Sequence, residues 1–179
     1  MAETPRVLAT RRLRDEWPPI SEDEVELPGG ARRRWIRLHF GLSAAVLPLT
    51  ADGKVLFTQE YRHGLGRIAY SLPGGFARDG ETPDACARRE LLEETGYEPS
   101  KLLPLYEGNN LTAYLEGRLH VFFGLECKAV GKPLNPGEVA GIETMTPLAA
   151  LDRARRGEFE SAVLTLAILL ADSRGWLMP

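Results

Sequence analysis

Residues 75–97 read GFARDGETPDACARRELLEETGY, and this stretch decides more about the chain than any other. Its middle carries helix signals at both ends. Thr82 suits the N-cap, Pro83 the first helical position, Asp84 the positive end of the helix dipole, and Gly96 a stop. At about 100° per residue, Glu90, Glu93 and Glu94 fall within roughly a 100° arc, with Leu92 and Ala85 pointing the other way. Carboxylates at these spacings repel one another by about a few tenths of a kcal/mol per pair. Such crowding becomes useful when cations sit between the carboxylates. Hard, oxygen-liganded Mg²⁺ suits the set, with Mn²⁺ as a substitute; zinc does not, because no His/Cys cluster accompanies it. Arg89 can tie one carboxylate down, and Glu81, just before the helix, can hydrogen-bond back to the loop. Ahead of it, Gly74 and Gly75 form a turn that lets backbone groups approach a metal or a phosphate closely. A glycine loop feeding an acidic helix is a cradle for cations and phosphate. Cations held there would neutralise charge developing on a pyrophosphate and lower the pKa of a bound water.

Working outward, period-2 alternation and turn residues predict strands over 7–14, 25–28 and 32–40. Trp17-Pro18-Pro19 and Pro28-Gly29-Gly30 mark the turns between them, and Arg32 to Arg34 ahead of Trp35 and Ile36 indicate one wet face. The apolar run 42–49 reads as a buried strand, followed through Ala51-Asp52-Gly53 by strands over 55–61 and 68–72. After the helix over 82–95, strands are expected at 102–106, 119–128 and 141–145, and closing helices near 147–156 and 161–173. Strands, helix, strands, then helices imply an α/β fold: a mixed sheet covered by helices on both sides, with an N-terminal antiparallel strand appendage over 1–40 and the main domain over 41–179.

The 179 residues can bury a substantial core, and the formal net charge of −3 gives no general attraction to nucleic acid or to anionic membranes. A polyanionic ligand therefore needs a local device. The longest apolar run, 162–171, is too short and interrupted to span a bilayer, and the N-terminus has no signal-peptide core. Two cysteines, Cys86 and Cys127, fit reduced thiols in a cytoplasmic protein better than a disulfide framework.

The stretch satisfies G-x5-E-x7-R-E-U-x-E-E-x-G-U, U being apolar or aromatic, at Gly75, Glu81, Arg89, Glu90, Leu91, Glu93, Glu94, Gly96 and Tyr97. Chance supplies such a match on the order of once in 10⁹ starting points. The pattern is the Nudix box, and the chain is identified by it as resembling the Nudix hydrolases. The resemblance implies a loop–helix–loop within an α/β/α sandwich. It also implies Glu90 and Glu94 as principal metal ligands, Glu93 as a further ligand or water-orienting catalytic group, and the Gly74 carbonyl as another ligand. Arg89 belongs with the catalytic set and Gly75 with the substrate-binding one. The implied reaction is attack of a metal-activated water on a phosphorus of a nucleoside diphosphate linked to another group.

A broader resemblance, to the ADP-sugar pyrophosphatase branch, rests on three features. The order of N-terminal strands followed by the core resembles that branch, whose N-terminal piece helps build a two-fold dimer. QEYRHG, residues 59–64, is similar to a strand ending in Gln-x-aromatic-Arg, which places Arg62 near the phosphates. Trp17 and Trp35 lie where some members have two tryptophans that sandwich adenine across the dimer. The branch also uses a glutamate on a late loop to bind metal or activate water; Glu138 in NPGEVAGIE is the positional match, with Glu143 behind it and Pro136 where some members have a second glutamate. One departure concerns the substrate loop, NNLTAYLEG. Tyr114 stands where ADP-ribose enzymes often have proline, a feature similar to dinucleoside polyphosphate hydrolases.

The expected activity is Mg²⁺-dependent hydrolysis of ADP-ribose or another ADP-sugar to AMP and a sugar phosphate, by a homodimer acting on a small nucleotide. The alternative substrates are dinucleoside polyphosphates, FAD or another dinucleotide. A non-catalytic nucleotide sensor is disfavoured by the intact Glu90, Glu93 and Glu94, and a nucleic-acid role lacks the basic stripe it needs. His39, His63 and His120 show no metal or triad spacing and read as structural, and Cys86 has no histidine partner to make it a nucleophile.

Overall fold

The apolar run after Gly41 has no polar face, which is what a strand covered on both sides requires. The computed structural model describes residues 3–133 and 139–177. In chain order its elements are β1 (Arg6–Arg14), β2 (Ile20–Glu26), β3 (Arg32–Thr50), β4 (Val55–Arg62), β5 (Arg67–Ser71), β6 (Gly74–Phe76), α1 (Pro83–Thr95), β7 (Tyr97–Glu98), β8 (Lys101–Gly108), β9 (Leu115–Ala129), β10 (Gly141–Met145), α2 (Pro147–Arg155) and α3 (Ala162–Ser173). The two strands expected over 32–40 and 42–49 are one. The backbone continues through Gly41, which takes a positive φ of 67° that a residue with a Cβ adopts only under strain.

Contacts divide the chain into two compact units: Met1–Gly41 with Asn109–Arg118, and Leu42–Gly108 with Leu119–Pro179. The inclusion of 109–118 in the first unit is not foreseen by a division of the chain at residue 40.

In the first unit β2 lies antiparallel between β1 and the start of β3, with Glu26 opposite both Arg6 and Arg32. β2 supplies acids and its neighbours supply arginines. Arg6 pairs with Glu26 at 3.0 Å, Arg11 with Glu22 at 3.1 Å and Arg32 with Glu24 at 3.4 Å. Exposed pairs of this kind contribute about 0–1 kcal/mol each. Asp23 differs because it is buried. Its Oδ2 and Oδ1 accept from Arg37 Nε at 2.8 Å and Nη2 at 2.7 Å, and Thr10 donates to Oδ1 at 2.7 Å. The segment 109–118 is tied on by Leu38 N–H donating to the Tyr114 carbonyl and by Glu116 meeting Arg37 and His39.

In the second unit the alternation of β3 sorts its side chains. Ala44 and Val46 pack with Cys86, Ala87 and Leu91 of α1, together with Phe122. Ala45, Leu47 and Leu49 pack with Leu151, Leu164 and Ile168 of α2 and α3, together with Phe123. Adjacent residues of β9, Phe122 and Phe123, thus serve opposite faces, and helices cover both sides of a mixed α/β sheet. β4 runs antiparallel to β5 and β10, and β6 pairs with β3 through Ala44–Gly75 and Ala45–Gly74. The expected Gly74–Gly75 turn is therefore a short strand. No helix among the described residues is long and apolar enough to cross a membrane.

Arg37 beside Asp23 holds that carboxyl below its ordinary value of 3.8. A carboxylate depressed in the folded state adds stability above its unfolded pKa, and that stability is lost as the pH falls through the lower folded value. Asp23→Asn should therefore flatten the acid limb: between about pH 5 and about pH 3 it should lose less resistance to urea than the parent protein does. Equal losses would remove Asp23 as a determinant.

Candidate active site

Helix α1 begins as its sequence dictates. The Thr82 side chain accepts from Ala85 N–H, Pro83 follows, and Gly96 closes the helix in the left-handed region at φ 74°. Its inward face is Cys86, Ala87, Leu91, Glu94 and Thr95, so the expected carboxylate stripe is split: Glu94 turns into the protein at 6% exposure while Glu90 and Glu93 stay half-buried. Ala85 is exposed, but Leu92 is half-buried. The Glu94 carboxyl accepts from Gly74 N–H at 2.9 Å. Its pKa is pushed up to about 8, first by burial and then by repulsion from Glu60, with Glu90 adding to it and the Gly74 amide and Arg62 opposing.

Arg89 organises the other carboxylates. Nε and Nη2 donate to the two oxygens of Glu81, each at 2.8 Å, and Nη1 donates to Glu90 at 2.6 Å and Glu93 at 3.1 Å. Nη2 also reaches the Phe76 carbonyl at 3.0 Å. The bidentate contact holds the Glu81 carboxyl down to about 2, and Glu81 in turn accepts from Arg78 N–H. Loop and helix are thereby fastened through one planar cation. Arg78, which the sequence reading passed over, donates to Glu93 Oε1 at 3.0 Å.

The two glycines are required for different reasons. A Cβ on Gly74 would stand 2.4 Å from the Ala44 carbonyl oxygen and 2.7 Å from Ala45 Cα, both backbone atoms. A Cβ on Gly75 would stand 2.5 Å from Glu90 Oε1, a side-chain atom of the acidic cluster.

On β4, Thr58, Glu60 and Arg62 alternate onto one face. Glu60 is a second residue that sequence reasoning missed. It accepts from Thr58 Oγ1 at 2.5 Å, pairs with Arg62 Nη2 at 2.9 Å, and bears electrostatically on Glu94. The signal was present in QEYRHG, since period 2 puts the acid on the same side as Arg62. Arg62 also donates to Ser71 on β5.

The remaining expectations divide. Trp35 and Tyr114 line one cavity of about 240 Å³ in the first unit, with Ile36, Arg37 and Glu116. Trp17 instead meets Phe40, with ring centroids 5.2 Å apart. Glu138 lies outside the described residues. Glu143 accepts from Gln59 at 2.9 Å and Tyr70 at 2.7 Å, a cross-strand tie. His39 bonds Ser21 and Glu116, and His120 lies 3.8 Å from Glu107. Cys86 and Cys127 are free and buried, and burial pushes the Cys86 thiol up to about 11.

A divalent cation fits the donor chemistry here, because Glu94 is a buried carboxyl facing two further acids and the groups at hand are hard oxygens. The ligands are not preassembled: among the described residues no three His, Cys, Asp or Glu groups form a ready metal cage. Arg89 and the Gly74 amide engage them instead.

Residues 39–166 match the family model described as NUDIX domain. The chain belongs to the Nudix family. It is a Nudix hydrolase, and its similarity is to the ADP-ribose pyrophosphatase branch. It is 34% identical over 124 residues to an ADP-ribose pyrophosphatase of Bacillus subtilis (strain 168), covering 69% of this chain and 66% of that one. To an ADP-ribose pyrophosphatase of Mycobacterium tuberculosis (strain ATCC 25618 / H37Rv) it is 30% identical over 155 residues, covering 84% and 74%. A crystal structure of an ADP compounds hydrolase superposes with a TM-score of 0.81 at 19% identity, covering 98% of each chain, a likeness that shows the shared fold.

The glycine contacts separate folding from chemistry. Gly74→Ala should destabilise the protein by about 1–3 kcal/mol, because backbone must move. Gly75→Ala should fold with little loss but displace Glu90 and cut turnover at least tenfold. Comparable melting losses with comparable activities would refute the distinction.

Proposed function

We propose that this Nudix hydrolase cleaves the pyrophosphate bond of an ADP-sugar, ADP-ribose foremost, to AMP and the sugar phosphate, with Mg²⁺ as its cation and Mn²⁺ as a substitute. The observation that carries the reading is Glu94: a carboxyl buried beside Glu60 and Glu90, its pKa raised to about 8, gives up its proton at neutral pH when a cation takes the proton's place. The similarity to two ADP-ribose pyrophosphatases supports the substrate class.

Glu90, Glu94 and the Gly74 carbonyl would hold the cation. Bound there, it would supply positive charge to the pyrophosphate oxygens and acidity to a water. Glu93, braced by Arg78 and Arg89, orients the attacking water, and Arg89 fixes the carboxylates rather than touching substrate. Arg62 and the backbone at Gly75 receive phosphate oxygens, and Glu138 takes the water's proton.

For the nucleobase, Trp35 and Tyr114 offer aromatic faces in one cavity, exposed at 44% and 57%. Trp17, which meets Phe40 rather than this cavity, would supply the second stacking face only across the dimer. The proposed homodimer is supported by β1, which is exposed along nearly its whole length and carries Val7 and Leu13 on open surface. Tyr114 also favours a second reading, in which a bulkier dinucleotide such as FAD or a dinucleoside polyphosphate is the substrate.

A panel of these nucleotides incubated with Mg²⁺ separates the two readings by products. ADP-ribose should be cleaved fastest and give AMP and ribose 5-phosphate; preference for a dinucleoside polyphosphate would overturn the first reading. Glu94→Gln should lower kcat by at least about a hundredfold. In chelator above about pH 8, where Glu94 is ionised, it should melt no lower than the parent, because it removes a buried charge, and added Mg²⁺ should stabilise the parent but not the variant. Full activity of that variant would sink the metal assignment. Trp35→Ala should raise KM roughly threefold to tenfold with kcat little changed; an unaltered KM removes the indole from the site.

A further inference from the structure

Glu60 presents a puzzle of sign. A negative side chain next to a group that binds phosphate should weaken binding, yet both its oxygens are engaged, one by a neutral donor and one by a cation. Oε1 accepts from the buried Thr58 hydroxyl at 2.5 Å, and Oε2 meets Arg62 Nη2 at 2.9 Å. The Glu60 side chain is 12% exposed and that of Arg62 is 47% exposed. Arg62 Nη2 also donates to Ser71, which lies opposite Thr58 in the β4–β5 register. Two strands thus grip one corner of the guanidinium. Five N–H donors sit on that group in a rigid fork, so donors remain for a further acceptor, and the open side chain can reach one. An unclamped arginine would have to give up far more rotamer freedom on binding. The field of the pair reaches the cradle, since Glu60 and Arg62 both act on Glu94.

We propose that Glu60 is a positioning residue for the hydrolysis: it holds the Arg62 guanidinium in the orientation that receives the substrate's phosphate, acting through Arg62 and not on the substrate. This rests on the reading above that Arg62 meets the phosphates. Thr58 is the outer member of the arrangement, because its hydroxyl fixes the oxygen of Glu60 that Arg62 does not use.

The sign of one substitution separates this from plain electrostatics. Removing a negative charge beside a polyanion site strengthens binding if charge alone matters; removing the clamp weakens it. Calorimetric titration with α,β-methylene-ADP and Mg²⁺ should show Glu60→Gln binding about fivefold more weakly than the parent. In an Arg62→Ala background the same change should have less than a twofold effect. In turnover, Glu60→Gln should raise KM about fivefold with kcat within twofold. Thr58→Val, which keeps every charge, should shift both readouts in the same direction by about twofold, and it carries the test if the Gln variant folds poorly. Tighter or unchanged binding by Glu60→Gln would overturn the proposal, as would losses that multiply in the double variant. A parent protein that does not bind the probe would overturn the functional reading and this inference together, whereas multiplying losses would overturn this inference alone.

Discussion

A carboxylate inside a protein is a demand on its surroundings. Moving it out of water costs several kcal/mol unless something compensates. The Gly74 amide supplies about 1.5–3 kcal/mol of charge-assisted hydrogen bonding to Glu94, and nearby Arg62 supplies some favourable field. Burial and repulsion from Glu60 and Glu90 outweigh these. At neutral pH the group therefore holds a proton, one that a cation can displace, within an otherwise well-packed helix. A cluster of apolar contacts from Val46, Leu91 and Phe122 keeps the helix from rotating Glu94 back to solvent. Strain at a functional group is sustained by packing elsewhere, the usual relation between stability and activity.

That demand fixes the geometry of its neighbours. The amide reaches Glu94 only because β6 lies flush against β3, and it lies flush only because residue 74 has no side chain. The same closeness brings residue 75 against Glu90, so two adjacent glycines join strand pairing to the acidic helix. Arg89 completes the frame from the other side. Its fork spans Glu81, Glu90, Glu93 and the Phe76 carbonyl, which a lysine's point charge cannot do in a fixed plane.

Local chemistry was legible in the sequence where it is written locally. The caps of α1, the two-faced apolar run of β3 and the spacing of the box residues each follow from neighbours within a few positions. What escaped depends on partners far along the chain. Helical arithmetic placed three glutamates on one stripe but could not say which edge of it meets the sheet, and so missed that Glu94 is buried. Glu60 was read past because its importance lies in facing Glu94, thirty-four positions on. Residues 109–118 joined the N-terminal strands through pairings such as Leu38 with Tyr114, which no local pattern announces. The base expected at Glu138 falls outside the described residues.

The arginines of the first unit show how far the distribution of charge outranks its sum. Arg32, Arg33 and Arg34 in a row look like a surface for polyanions, yet β2 sets acids beside the flanking strands, and Arg6, Arg11, Arg32 and Arg37 each face one. Fields from such pairs cancel within a few ångströms and are screened further by salt. A chain with a net charge of −3, in which arginines of these strands face acids, has no general potential to gather a nucleotide. On the proposed reading, recognition of a pyrophosphate would come from contact groups, a clamped guanidinium and a cation held around the buried Glu94. Selectivity on that reading would lie in a few ångströms of geometry rather than in the surface as a whole.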